Sequence, residues 1–284
     1  MSIFIIAEIG INHNGNIKIA KEMIDMAVDS GCDAVKFQKR DINIVYTKKV
    51  LDSYRESPWG TTQRAQKEGL EFSKKEYDEI SQYCQAKKIE WFASAWDENS
   101  QKFLRQYNFK NNKIASAMLT HEPLLKMVAA EGKHTFISTG MSEYEHIDRA
   151  VDIFRKANCE FTLMHCVSTY PCLDEESNVS LIPVLKSRYK CPVGYSGHET
   201  GLLPSVLAVA MGAVALERHI TLDRAMYGSD QAASLGKRGL ELLVRDARKV
   251  QDILGTGEKV VLDGEKAVER KLRYFNECFS SDNK

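Results

Sequence analysis

Two histidines stand where core strands should be finishing. In GYSGHE, residues 194–199, small and polar residues follow the apolar step Pro192-Val193 and lead to His198. Twenty-one residues further on, after the apolar run from Ala213 to Leu216, ERHIT carries His219 in a similar place. Adjacent parallel strands lie about 4.8 Å apart, so His198 and His219 can converge on one ion through metal–nitrogen bonds of about 2.1 Å. Two protein ligands leave several positions for water and substrate, which is the arrangement of a catalytic site and not of a closed structural zinc site. An open shell completed by oxygen suits Mn²⁺ or Mg²⁺. The competing reading is that both rings hydrogen-bond loop backbone, because this spacing is no local ligand motif.

Lysines and hydroxyls flank other apolar runs. Lys36 lies in AVKFQ and Lys113 in KIAS. A lysine beside a core strand either snorkels to solvent or reaches inward to hold phosphate or carboxylate, helped here by Ser94, Ser116, Ser138 and Ser196. Ammoniums and hydroxyls suit an anion that must be positioned and later released. Lys113 begins its apolar run, the wrong end for such a role unless its strand starts earlier. Glu8 ends an apolar segment, where an unpaired carboxylate is costly. It is therefore a partner of Lys36 or a general base. Glu217 is expected to support a histidine from behind, and His13 and His121 to be loop residues.

These residues need elements to position them. Short apolar runs at Phe4–Ile9, Ala34–Gln38, Ile89–Ala95, Lys113–Ala115, Thr135–Ser138, Phe161–Cys166, Pro192–Tyr195 and Ala213–Glu217 alternate with helical periodicity. In the first helical stretch Ile17, Ala20, Ile24, Ala27 and Val28 share a face. Ser73 with Glu76, and Ser142 with Glu145, have capping-box spacing. Eight strand–helix units predict an α/β fold, a single-domain (β/α)8 TIM barrel over residues 1–257. An open doubly wound sheet would call for a glycine-rich fingerprint, and EIGINHNGN is not GxGxxG. Residues 41–72 break the rhythm as a long polar connection, expected over the barrel mouth. Residues 258–284 read as a short tail with a helix from about Glu265 to Phe279. In a barrel of this kind chemistry sits at the C-terminal strand ends, where these polar residues cluster.

Composition sets the outer limits. Lys+Arg and Asp+Glu balance at 39 each, so the whole-protein field points to neither nucleic acid nor a membrane surface. An anionic ligand must be held by local groups. MSIFIIAEIG has no basic lead and reads as a first core strand, not a signal peptide. Seven cysteines, an odd number without a CxxC pair, predict reduced thiols and a cytoplasmic protein.

Taken in order, AEIGINHNG, AVKFQ, KIAS, ISTGM, HCVSTYP, GYSGHE, LERHIT and YGSDQ resemble the catalytic barrel of the N-acetylneuraminate (sialic acid) synthase family, from about Ile5 to Asp230. Members of that family condense phosphoenolpyruvate with the open-chain aldehyde of an N-acylated hexosamine, giving a 2-keto-3-deoxy acid and phosphate. The resemblance implies that His198 and His219 hold a divalent metal, Mn²⁺ or Mg²⁺. It implies that Lys36, Ser94, Lys113, Ser116, Ser138 and Ser196 hold phosphoenolpyruvate. Gln38, Tyr170 and Asp230 would lie toward the sugar and Glu8 near the reacting carbons. A homodimer is also implied.

The departures bear on the acceptor. Ser94-Ala95-Trp96-Asp97 replaces the family's threonine-proline-phenylalanine turn after strand three, Met118 stands where a sugar-facing glutamate is usual, and Ser168 where some members have asparagine. The sequence is read as ending without the C-terminal antifreeze-like domain that lends an arginine to the partner's site, which leaves the 41–72 loop or the tail to supply a lid. An acceptor other than N-acetylmannosamine is therefore open. The competing classes are a Schiff-base pyruvate aldolase or lyase using Lys113, and a non-catalytic sugar-binding barrel.

Overall fold

The computed structural model describes residues 3–273. Eight parallel strands close into a barrel in chain order: β1 Phe4–Gly10, β2 Ala34–Lys39, β3 Glu90–Ala95, β4 Asn111–Ile114, β5 His134–Ser138, β6 Phe161–His165, β7 Val193–Gly197 and β8 Ala215–His219. Each pairs with its neighbours in sequence, and β8 returns to β1 with Glu8 opposite His219. This is the expected (β/α)8 barrel. The chain divides into two compact units, Met1–Val250 and Gln251–Lys284. The second contains the helix Asp263–Leu272; the expected extension of that helix to Phe279 lies outside the described residues.

Strand alternation explains how one barrel interior serves two purposes. Residues two apart point the same way, so the inward strings run Phe4–Ile6–Glu8, Phe92–Ser94, Phe136–Ser138 and Gly194–Ser196. Each begins small or apolar and ends polar. At the lower end Phe136 stacks on Phe4 and on Phe92, with ring centroids 5.8 and 6.0 Å apart, and this aromatic layer floors the barrel. The polar residues form the layer above it, at the C-terminal mouth. Gly194 keeps the lower layer closed: a Cβ there would stand 2.5 Å from Met164 Sδ and 2.7 Å from the Ala215 carbonyl oxygen. Gly194→Ala is therefore expected to destabilise the protein by about 1–3 kcal/mol through overpacking, read as a lower urea midpoint with an unchanged slope.

Helices cover the outside of the sheet. Ile17–Ser30 buries Ala20, Met23, Ile24 and Ala27 along its inner stripe, and Asn16 caps it by accepting from the Lys18 amide. The Ser73–Glu76 capping box opens the helix Lys74–Lys87 as expected. The one expected at Ser142 is displaced. Ser142 Oγ donates to the Gly140 carbonyl, and the helix Tyr144–Lys156 is capped by Glu143 with His146.

Residues 41–72 have structure of their own: short helices Ile42–Val45 and Lys48–Leu51, an antiparallel ribbon of Tyr54–Ser57 with Gly60–Thr62, and the helix Gln63–Leu70. The segment is tied to the barrel by Lys39–Glu71 at 2.9 Å, and to the loop after β8 by packing of Trp59 on Tyr227. None of its side chains lines the cavity in the barrel mouth. Among the described residues no helix is long and apolar enough to cross a membrane.

Candidate active site

The polar layer surrounds a cavity of about 200 Å³. That is below the usual range for drug-sized ligands, roughly 300–1,000 Å³, and leaves room for a small ligand among polar side chains. Glu8, Lys36, Gln38, Ser94, Lys113, Ser116, Ser138, Tyr170, Ser196, His198 and His219 all line it. Asp230 alone among the expected residues does not. Its Oδ2 lies 3.8 Å from His219 Nδ1, at the rim.

Four buried charges form the cavity floor. Glu8, Lys36, Lys113 and Glu217 are each no more than 5% exposed. Lys36 Nζ meets Glu8 Oε2 at 2.7 Å and Glu217 Oε1 at 3.6 Å, and Lys113 Nζ meets Glu217 Oε2 at 3.1 Å. Lys113 also donates to Ser138 Oγ. Burial favours loss of the Lys36 proton, but Glu217 and Glu8 outweigh it and raise its pKa. Lys113 moves the other way, lowered by burial and by Lys36 against the pull of Glu217. Burial also resists ionisation of Glu217, yet Lys113 and Lys36 hold its carboxyl down at about 2. The cluster thus sets two lysines against two glutamates, each lysine within ion-pair reach of at least one carboxylate.

Two expectations change here. β4 starts at Asn111, two residues earlier than expected, so Lys113 lies near its C-terminal end and faces the mouth. Glu217 does not support a histidine. Its oxygens reach both lysines and Ser196 Oγ, 3.3 Å away. The register explains this, because Glu217 pairs with Ser196 on β7, one inward layer below the histidines.

The histidines sit at neighbouring strand ends, as their spacing predicts, with ring centroids 5.6 Å apart. His198 Nδ1 is 2.6 Å from the Val167 carbonyl. A carbonyl only accepts, so Nδ1 carries the proton and Nε2 presents a lone pair, to which the Tyr170 hydroxyl donates at 2.8 Å. Burial, and then His219, push the His198 pKa down to about 3, so the ring is neutral, the state a metal ligand needs. His219 Nδ1 is buried without a hydrogen-bond partner among the described residues. One nitrogen held by the tautomer and one unsatisfied nitrogen fit a two-histidine metal site. Among the described residues no group of three or more His, Cys, Asp or Glu could hold an ion, so such a site would be open, with water or substrate completing it. His13 and His121 are structural. His13 stacks on Phe72 at 3.9 Å and accepts from the Gly15 amide, while His121 caps the helix Glu122–Ala129.

The remaining lining comes from the mouth loops. Gln38 Nε2 donates to Glu8 Oε1 at 2.7 Å, and Arg40 donates to Gln38 Oε1 while stacking 4.1 Å over Trp96. Trp96, Ala117, Met141 and Ser168 border the cavity; Met118 does not, and packs against the core. Gly140 is needed for close approach. Its amide donates to Ser116 Oγ and Cys166 Sγ, and a Cβ there would fall 2.3 Å from Ser168 Oγ. Ala117 and Met141 gave no signal in the sequence. Glu217 did, since residues 217 and 219 of one strand share a face.

A parallel barrel with lysines, hydroxyls and paired histidines at its mouth defines an α/β-barrel enzyme class with a candidate anion site beside a candidate metal site. A family model described as the NeuB family matches residues 23–259, and the chain belongs to this family. It is 40% identical over 272 residues to N-acetylneuraminate-9-phosphate synthase of Mus musculus, covering 95% of this chain and 76% of that protein. It is 34% identical over 281 residues to N,N'-diacetyllegionaminic acid synthase of Legionella pneumophila, covering 96% and 79%. The crystal structure of N-acetylneuraminic acid (sialic acid) synthetase from Leptospira borgpetersenii serovar Hardjo-bovis in complex with citrate matches with a TM-score of 0.84 and 32% identity, over 98% of this chain and 94% of that one.

Proposed function

We propose that this chain condenses phosphoenolpyruvate with the open-chain aldehyde of an N-acylated hexosamine or related aldose, releasing phosphate and a sialic-acid-like 2-keto-3-deoxy acid. The observation that carries the reading is the meeting of two buried lysines with two histidines in one small cavity. Lys36 and Lys113 bind and orient the anionic substrate, with Ser94, Ser116, Ser138 and Ser196 supplying neutral hydrogen bonds. Ser94 Oγ is buried without a hydrogen-bond partner among the described residues, as suits a group that bonds a ligand. Carbon 3 of phosphoenolpyruvate attacks the aldehyde carbon, water adds at carbon 2, and phosphate leaves by carbon–oxygen cleavage. Glu8, fixed by Lys36 and Gln38, orients that water and takes its proton. His198 and His219 would hold a divalent ion, Mn²⁺ or Mg²⁺, which when bound would polarise the aldehyde oxygen. Gln38 and Tyr170 face the acceptor, while Asp230 stands 3.8 Å from His219 Nδ1, off the cavity wall. The barrel is residues 1–257, and the reading assigns a cytoplasmic enzyme acting as a homodimer, with roles in surface-glycan biosynthesis.

The test is phosphate release from phosphoenolpyruvate with Mn²⁺ across N-acylated hexosamines, simple aldoses and their phosphates. Sugar-dependent release is the expected result, and the best sugar names the product. Pyruvate-dependent trapping by borohydride at Lys113, with no phosphate released, would instead establish the Schiff-base aldolase that the depressed Lys113 pKa allows. Sugar binding with neither reaction would leave a non-catalytic barrel. Tyr170→Phe is expected to raise the acceptor KM about threefold to tenfold, the worth of one hydrogen bond, with less change in the phosphoenolpyruvate KM. The opposite split in steady-state kinetics would move Tyr170 to the other substrate.

A further inference from the structure

We infer that the buried ion pair Arg218–Glu199, on the outer side of the barrel strands, sets the spacing of the two histidines and so makes Arg218 and Glu199 positioning residues for the metal. This rests on the reading of His198 and His219 as metal ligands.

Sequence adjacency and strand alternation supply the geometry. Glu199 follows His198 and Arg218 precedes His219. Successive residues of a strand face opposite sides, so the histidines look into the cavity while their neighbours look out toward the helices. Arg218 pairs in register with Gly197, one step below the histidines. The pair is closed to solvent, with side chains 1% and 0% exposed. Arg218 Nη1 donates to Glu199 Oε1 at 2.8 Å, to Ser205 Oγ at 2.9 Å and to the Gly201 carbonyl at 3.0 Å. Its Nη2 donates to the Glu199 backbone carbonyl. Arg218 therefore grips the chain immediately after His198 by main chain and side chain together.

The carboxylate is held just as firmly. Ser205 Oγ donates to Glu199 Oε1 at 2.7 Å and Tyr195 OH to Oε2 at 3.0 Å. A Cβ on Gly197 would stand 2.5 Å from Glu199 Oε2, so the last residue of β7 leaves the space this carboxylate fills. The histidine backbones are fixed as well: the His198 carbonyl accepts from the Cys172 amide at 3.0 Å and the His219 carbonyl from the Leu235 amide at 2.8 Å. Stability alone explains the pair poorly, since replacing a buried ion pair by packed apolar residues is often neutral or favourable. An ion pair that joins β7 to β8 at the histidine level has a clearer use. It resists separation of the rings when a ligand pulls on one of them.

The experiment titrates Mn²⁺ by electron paramagnetic resonance, and records the visible spectrum of Co²⁺, in the wild type, Arg218→Lys and the double variant Tyr195→Phe/Ser205→Ala. Arg218→Lys keeps the charge and loses the guanidinium fork. It is expected to weaken Mn²⁺ binding about tenfold to a hundredfold, the usual effect of losing a group that orients metal ligands, and to shift the Co²⁺ bands. The double variant keeps the ion pair but removes the two hydroxyls that hold the Glu199 carboxylate against it, and is expected to lose at least about threefold. Should Arg218→Lys fail to fold, the double variant decides. Folded variants that bind Mn²⁺ within about twofold of the wild type, with unaltered Co²⁺ bands, overturn the inference while leaving the histidine site intact. A wild type that binds neither ion overturns the histidine reading and the positioning role with it.

Discussion

His198→Ala and His219→Ala are each expected to lower the rate of phosphate release about a thousandfold. A Lewis acid contributes several kcal/mol to such a carbonyl addition, and about 4 kcal/mol corresponds to three decades of rate. Either substitution leaves one ring, and one imidazole does not hold a divalent ion at micromolar concentration against water. The two rings differ in what else they touch. His198 is oriented by the Val167 carbonyl on Nδ1, and a metal on Nε2 would take the place of the Tyr170 hydroxyl, so His198→Ala should act on turnover and leave Tyr170 free to meet the acceptor as before. His219 Nδ1 has no hydrogen-bond partner among the described residues, and its loss should fall on turnover alone. Neither change touches the lysine–carboxylate floor, so phosphoenolpyruvate binding measured by calorimetry should survive both. Variants that keep turnover within about tenfold of the wild type, with Mn²⁺ binding lost, would separate the histidines from the chemistry.

Much of this site was legible because of where it lies. Strands of a parallel barrel are buried on both faces and read as apolar runs, so a histidine, lysine or glutamate at the end of one stands out. Glu8, Lys36, His198 and His219 were found in this way, and the order of strand and helix signals predicted the barrel. What stayed hidden depends on partners distant in sequence. Glu217 shares a face with His219, but its lysines come from β2 and β4, and no local pattern announces them. β4 was harder to see because its first residues are Asn111 and Asn112, whose side chains bond Glu90 and Glu131. Those partners let polar residues occupy a strand. Residues 41–72 looked like loop because helices of four and eight residues and strands of three and four are too short to display a clear period. Asp230, in the loop after β8, was placed by resemblance alone and stands beside His219 without lining the cavity.

Glu217→Gln is expected to destabilise the protein free of substrate by about 3 kcal/mol, and phosphate or phosphoenolpyruvate should restore more stability to the variant than to the wild type. Glu217 is the carboxylate shared by Lys36 and Lys113. Its removal leaves two buried ammoniums with Glu8 as their one carboxylate partner among the described residues, and breaking a buried pair costs about 3–5 kcal/mol. Titration points the same way: Lys113 and Lys36 hold the carboxyl down from 4.5 to about 2 in the folded protein. Because the folded value is the lower one, this stabilisation is complete above pH 4.5 and is lost as pH falls toward 2. The difference between wild type and variant should therefore close across that window in urea melts at a series of pH values. Ligand rescue addresses function as well as stability. If Lys36 and Lys113 are the phosphoenolpyruvate site, a bound trianion supplies the negative charge that the substitution takes away, and the thermal shift with ligand should be larger in Glu217→Gln. An equal shift in both proteins would mean that the anion binds elsewhere and that the two lysines serve only the fold.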